Sequence, residues 1–230
     1  MNVKELIYLL FRVSWLKTLL LNARMFGIKK IFTLPVLIGR GVMLKNIGHH
    51  SSIEIDSRIL YFGMIRLGVS DGSFHMGTSK KSNLSLGTNS KLVFKGGCNI
   101  TKGFFINIYD DAILCFGNNT SFNPFLVIKC EENISIGDDC IFGWNVTIMD
   151  GDGHAIFVCD NDELVNKKTS IVINQRCWIA ANATILKGSY ISDDSVVAAG
   201  AIVTKKVLES NVILAGNPAK IIKRNVYWKK

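Results

Sequence analysis

Large apolar residues recur every six positions through the C-terminal half of the chain, at Ile173, Ile179, Ile185, Ile191, Val197 and Val203. Four positions after each stands a smaller residue: Cys177, Ala183, Ser189, Ser195, Ala201 and Val207. The same register is present earlier at Ile136, Phe142 and Ile148, with Cys140 and Val146 in the small column and Gly137 and Gly143 in the turn position. Further upstream, Leu86-Gly87-Thr88-Asn89-Ser90 leads to Leu92, and Phe116-Gly117-Asn118-Asn119-Thr120 leads to Phe122 and Ile128. A period of six matches neither the ~3.6-residue turn of an α-helix nor the ~2-residue alternation of a strand. Each hexapeptide therefore reads as a short strand plus a turn, and three such units return the chain to its starting direction. Stacked coils of this kind form a triangular prism with both columns pointing inward, so the expected fold class is an all-β solenoid.

This repeat resembles that of the hexapeptide-repeat acetyltransferase family, in which an aliphatic residue is followed by Gly, Ala or an acid, two variable positions and a small residue. The resemblance implies a left-handed parallel β-helix. The segment Val212-Ile213-Leu214-Ala215-Gly216-Asn217-Pro218-Ala219-Lys220-Ile221-Ile222-Lys223 is similar to the closing signature of the family's galactoside, maltose and bacterial surface-polysaccharide O-acetyltransferase branch. The likeness is strong over residues 116 to 224, weaker from 38 to 115 and absent before that. The expected organisation is an amphipathic helical segment at 1–35, a left-handed β-helix at 36–210 with an extruded catalytic loop at 149–172, and a CoA-binding tail at 211–230.

With 230 residues, 48% of them hydrophobic, the chain can bury a sizeable core, which argues against global disorder. The net charge of +9 is concentrated at the ends. Residues 1 to 50 carry eight Lys or Arg against the single acid Glu5, and Lys220, Lys223, Arg224, Lys229 and Lys230 close the chain. Such ends favour phosphates, anionic lipid or nucleic acid. The interleaving of aromatic and basic residues typical of a nucleic-acid surface is missing, so no nucleic-acid partner is expected.

The apolar stretch from Val3 to Phe26 is interrupted by Arg12, Lys17 and Arg24, well short of the ~20 apolar residues a membrane span needs. No small-residue cleavage site follows it, so a secretory signal is not expected either. Cytoplasmic residence follows, with peripheral contact at the inner face of the plasma membrane left open. Leu6, Leu10, Val13 and Leu20 on a basic background read as one or two amphipathic helices. Those helices either pack on the end of the prism or meet anionic lipid, with Arg12, Lys17, Arg24, Lys29 and Lys30 as contacts.

Between Ile148 and Ile173 the register breaks, with 25 residues where six would continue it. Insertions in solenoids gather on one face and often carry function, and this one begins Asp150-Gly151-Asp152-Gly153-His154. Acyl transfer from a thioester to an alcohol needs a base titrating near neutrality, and later an acid for the departing thiolate; histidine serves as both. His154 is the expected general base, and its loop position matches the catalytic histidine of the family. Asp152 would orient the ring or stabilise the imidazolium, or else act as an ordinary turn residue. His49, His50 and His75 lie outside any carboxylate-rich loop and are expected to be structural or surface residues.

The six cysteines form no C-x-x-C pair, and Cys140 and Cys177 fall in the small inward column, so they read as buried hydrophobes rather than nucleophiles. No metal is expected: four scattered histidines do not supply the three ligands of a β-helical carbonic anhydrase. Nor does the chain open on the Gly-rich phosphate loop of a nucleotidyltransferase fusion.

The resemblance implies further roles residue by residue. Asn123 and Glu131 fall at the acceptor-contacting positions on the coil before the loop. Trp178 would line the thioester channel. Ala181, Ala199 and Gly200 would let the pantetheine arm of acetyl-CoA approach the coil, Thr204 and Lys205 would meet its nucleotide end, and Lys220 and Lys223 its phosphates. A homotrimer is implied, with the site between neighbouring prisms. The expected function is transfer of acetyl from acetyl-CoA to a sugar hydroxyl, with a bacterial surface polysaccharide such as O-antigen or capsule as the leading acceptor. The alternatives are an antibiotic hydroxyl or an amino sugar, and a non-enzymatic scaffold is disfavoured.

Overall fold

The computed structural model describes residues 3–27, 33–45, 50–70 and 81–229. His49, His75, Lys29, Lys30 and Lys230 lie outside the described residues. From Val36 to Gly216 the described chain winds through three sheets in rotation, each strand hydrogen-bonding to the strands three places before and after it in the order of the chain. The first face has nine strands, from Val36–Ile38 to Ala219–Lys223; the second and third have seven each, from Val42–Lys45 to Ile202–Val203 and from Ser52–Ile55 to Lys206–Val207. All pairings are parallel except the last, where Ile213–Gly216 and Ala219–Lys223 form an antiparallel hairpin closing the C-terminal end.

The six-residue columns are the inward ladders of this coil. On the second face Leu84, Ile106, Ile128, Ile148, Ile185 and Val203 stand in register, one per coil. On the third face Phe94, Phe116, Ile136, Ile173, Ile191 and Val207 do the same. Like residues stack because successive coils present the same backbone position to one another, and the strand backbone of one coil hydrogen-bonds to that of the next. Corners are sharp enough that the coils nearly touch: a Cβ on Gly117 would lie 2.3 Å from the carbonyl carbon of Gly137. Asn or Asp takes the left-handed turn conformation at corner after corner, as at Asn119, Asp139, Asn182 and Asp194, with φ between 55° and 60°.

At mid-height the aliphatic ladders give way to an aromatic cluster. The Phe94 and Phe116 ring centroids are 5.5 Å apart, Phe116 and Phe122 meet edge-on at 5.2 Å, and Phe122 stacks on Phe142 at 4.4 Å. All four are fully buried.

The N-terminal end is closed by two helices, α1 (Val3–Arg12) and α2 (Trp15–Phe26). Strand Val36–Ile38 has a free edge, and α2 covers it with polar groups: Thr18 Oγ1 accepts from the Ile38 N–H at 3.0 Å, while Asn22 accepts from the Val36 N–H at 3.2 Å and donates to its carbonyl at 2.7 Å. α2 thus meets the edge strand through polar groups. Of Leu6, Leu10, Val13 and Leu20, only Val13 is buried. The edge strand needs hydrogen-bond partners, and that requirement turns Thr18 and Asn22 inward and the leucines out.

Replacing Phe122 by Ala removes the ring that joins the two halves of the aromatic cluster and is expected to cost about 3–5 kcal/mol. A lowered denaturant midpoint with an unchanged slope would show it; a midpoint within error of wild type would mean the cluster closes over the gap.

Candidate active site

Three corners alternate up the prism, and the sequence-selected residues divide between two of them. The first corner, from the first face to the second, carries Asn123, Ala181, Ala199 and Gly200 on stacked coils. Asn123 donates through Nδ2 to the Phe142 carbonyl at 3.1 Å, and the Gly200 N–H donates to the Ala181 carbonyl at 3.0 Å. Gly200 has φ +71°, and nothing lies within 4 Å of where its Cβ would stand, so a slender ligand has room against the backbone.

The second corner, from the second face to the third, carries Glu131, the long loop with Asp152 and His154, and Thr204 and Lys205 above it. The loop leaves the prism after strand Thr147–Met149 and rejoins it at Ile171–Ile173. Its root is fastened by Asp150, which is fully buried. The Asp150 carboxylate accepts from the Glu131 N–H at 2.6 Å and the Glu132 N–H at 3.0 Å. Burial raises its pKa, partly offset by those backbone donors. The same device recurs at the corners, with Asp110 accepting from the Thr88 N–H and Asp138 from the Asn118 N–H, both at 2.7 Å.

Asp152 has two partners, Lys187 Nζ at 2.6 Å and Asn166 Nδ2 at 2.8 Å. The hydrogen bond from Lys187, then that from Asn166, holds its carboxyl below the ordinary range. Asn166 also donates to the His154 carbonyl at 2.8 Å and accepts from the Ile156 N–H at 2.7 Å, which staples the returning limb of the loop to the outgoing one. The carboxylate thus fixes the loop backbone beside His154 and does not bond the imidazole. The His154 side chain is exposed on the loop.

Beneath the loop lies an ion pair, Lys129 Nζ to Glu131 Oε1 at 2.5 Å, with the ammonium 5.5 Å from the centroid of the exposed Tyr109 ring. A Cβ on Gly151 would crowd the Glu131 carboxylate and one on Gly153 the Lys129 ammonium, and Gly153 takes the left-handed conformation at φ +80°, which favours glycine there. Lys45, Ser85, Asn107 and Lys129 stand in one outward register on the second face. A groove of about 540 Å³ runs along this row, lined by Lys45, Asn83, Asn107, Tyr109 and Asp110 among others, and leads towards Lys129 and the loop.

Trp178 lies outward on the first face, 42% exposed, with the Trp228 ring 6.2 Å away and Trp228 Nε1 donating to the Arg176 carbonyl at 2.7 Å. Lys220 and Lys223 are exposed on the C-terminal hairpin. His154, Asp152, Glu131, Thr204 and Lys205 thus belong to one corner, on different coils. The structure leaves Asn123, Ala181, Ala199 and Gly200 at the other end of the second-face strands. Asn166 and Lys187 escaped the sequence reading because their partner Asp152 lies 14 and 35 residues away along the chain. A half-buried lysine closing a solenoid corner carries no local signal.

Four of the six cysteines, Cys98, Cys130, Cys140 and Cys177, are buried and not placed for nucleophilic catalysis. Burial pushes Cys98 up to about 12, and Cys177 is raised by its hydrogen bond to Cys140 and by burial, so both thiols stay protonated at neutral pH.

No family model matches the chain. It is 31% identical over 162 residues to the polysialic acid O-acetyltransferase of Neisseria meningitidis, covering 69% of this chain and 75% of that protein. It is 37% identical over 143 residues to the polysialic acid O-acetyltransferase of Escherichia coli O1:K1, where the match takes in 62% of this chain and 43% of the relative. Among solved structures, the polySia-specific acetyltransferase NeuO superposes with a TM-score of 0.59 at 25% identity, covering 83% of this chain and 89% of that one. A period-six solenoid with an exposed histidine on its extruded loop, and relatives of this reach, place the chain in the hexapeptide-repeat O-acetyltransferase family.

Proposed function

We propose that the protein transfers acetyl from acetyl-CoA to a hydroxyl of an extended surface polysaccharide, with His154 as general base. The observation that carries this reading is the exposed His154 on a stapled loop, next to Gly153, which abuts Lys129, the last residue of the outward row that starts at Lys45. An extended glycan lying along that row would meet amide groups, an aromatic ring and two ammonium groups before reaching the imidazole. The acceptor of the two curated relatives, polysialic acid, is a polymer, which agrees with a groove rather than a closed pocket.

The fit for acetyl-CoA rests on the first corner, on Lys205 at the second, and on the tail. Gly200 offers open backbone for the pantetheine arm, Ala181 and Ala199 keep the wall low, and Lys205, Lys220 and Lys223 are exposed ammonium groups suited to phosphates. When bound, acetyl-CoA supplies an activated thioester carbonyl. His154 removes the proton from the acceptor hydroxyl as its oxygen attacks, then returns that proton to the departing sulfur. Asn166 and Lys187, through Asp152, keep the histidine backbone in place.

The coil is read as left-handed, and the protein as a homotrimer. Reacting atoms must approach to ~3–3.5 Å, yet the donor corner and the His154 corner of one prism are separated by the full length of the second-face strands. Setting the first corner of one prism against the loop of its neighbour would unite them.

His154→Ala is expected to lower turnover by on the order of 10²-fold or more with acetyl-CoA affinity nearly unchanged. Thiol release with sialic acid oligomers and with neutral saccharides measures it, and near-normal release in the variant would remove the assigned role. The Asp152 staple gives a second expectation. Its carboxyl is depressed below the ordinary 3.8, so its contribution is fully present above that value and is lost only as pH falls through the depressed one. Amide exchange across residues 152–166 should therefore be protected by the link in the wild type down to that ordinary value, and be faster in Lys187→Ala than in the wild type at any pH above it. A Lys187→Ala loop exchanging at the wild-type rate would show that the ion pair does not hold it.

A further inference from the structure

The two N-terminal helices are inside out with respect to water. In α2 the residues turned to the protein are Thr18, Leu21 and Asn22. The opposite stripe, Leu16, Leu19 and Leu20, faces solvent, with Leu16 70% and Leu20 63% exposed. In α1 only Leu9 is buried, and Val3, Leu6, Ile7, Leu10 and Phe11, at the spacing of one helical face, form a second uncovered apolar stripe with Phe11 67% exposed. Single exposed apolar residues are ordinary, but two whole stripes at one end of a molecule mark a contact surface.

The charges beside these stripes are of one sign. Lys4 and Arg24 are exposed, Arg12 lies over the Tyr8 ring at 5.4 Å, and Arg40 donates to the Leu10 carbonyl at 3.3 Å. The single acid of the two helices, Glu5, is engaged by Arg66 Nη2 at 2.9 Å. No free carboxylate on the helices remains to repel an anionic surface. A second copy meeting this one through the same face would set these cations against their own counterparts, which disfavours self-association there.

We propose that α1 and α2 seat the protein on an anionic lipid surface, lying in its plane with the leucine and phenylalanine stripes in the headgroup region. With 10 and 12 residues, neither helix reaches the ~20 needed to cross a bilayer. Basic residues on a short helix with an apolar stripe are the pattern of surface attachment. The groove and His154 would then work on glycan held close to the membrane. The attachment does not depend on the acyl-transfer reading.

Sedimentation of the full chain with vesicles of phosphatidylcholine, alone or mixed with phosphatidylglycerol, tests this. Binding to the mixed vesicles that weakens at high salt is expected. Phe11→Asp combined with Leu20→Asp should lower it by on the order of tenfold or more. Oligomeric mass and turnover of a soluble saccharide should stay at wild-type values, which separates this test from that of the catalytic reading. If that variant fails to fold, Lys4→Ala with Arg24→Ala replaces it and should remove the preference for phosphatidylglycerol. Wild-type protein that binds neither vesicle, or a basic-residue variant that keeps the preference, would overturn the proposal. So would an aspartate variant that loses oligomeric mass, which would assign the face to another copy of the chain.

Discussion

Backbone hydrogen bonding between successive coils is the interaction on which the rest of this structure depends. Each short strand pairs only with the strands one turn before and one turn after, so a coil has no other partners for its N–H and carbonyl groups. Three consequences follow. Identical positions stack, which makes the core a set of columns. Corners come within contact distance of one another, which demands glycine at Gly117 and Gly137. The two ends are left with unpaired strands, which something else must cover.

The columns were legible because their period is set by the number of residues per side of the prism, and that number survives in the sequence wherever the corners are uniform. The cover on the end strand was not legible. Amphipathicity tells which residues share a helical face, but not whether the neighbour offers apolar surface or bare backbone. Thr18 and Asn22 answer to backbone, so the polar face turned in. The loop was visible as a break in the period, and His154 as its only imidazole. Its anchorage was hidden, since Asp152 and Lys187 are 35 residues apart and meet only once the intervening strands have gone round the prism. The role suggested for Asp152 from sequence proximity to His154 rested on adjacency along the chain, whereas the carboxylate points to the neighbouring coil.

A solenoid also limits where a reaction centre can be built. Its core is filled by side chains, and its faces are short strands, so residues that share a corner approach one another and residues on different corners do not. Asn123, Ala181, Ala199 and Gly200 form one such column and Glu131, His154, Thr204 and Lys205 another. Folding more coils lengthens both columns without narrowing the distance between them. Only a feature that leaves the prism, such as the loop at His154, or a neighbouring prism can close that distance, which is the physical basis for placing the proposed site between copies.

The two carboxylates at the start of that loop show how the prism tolerates so long an excursion. Asp150 and Asp152 are two residues apart, and their pKa values move in opposite directions: burial raises the first, and the hydrogen bond from Lys187 lowers the second. A folded-state value above the unfolded one means the native protein holds the proton more tightly. The contribution of Asp150 is therefore complete below the unfolded value and declines as pH rises through the folded one. Asp152 behaves in the reverse sense, and its link fades as pH falls through its depressed value. Near neutrality the limb beside His154 is held by a surface ion pair at full strength, while the root rests on a carboxylate whose burial is opposed by two backbone donors. A loop fixed in this way keeps its departure and return within the spacing of one coil, so the ladders above and below it continue without a shift of register.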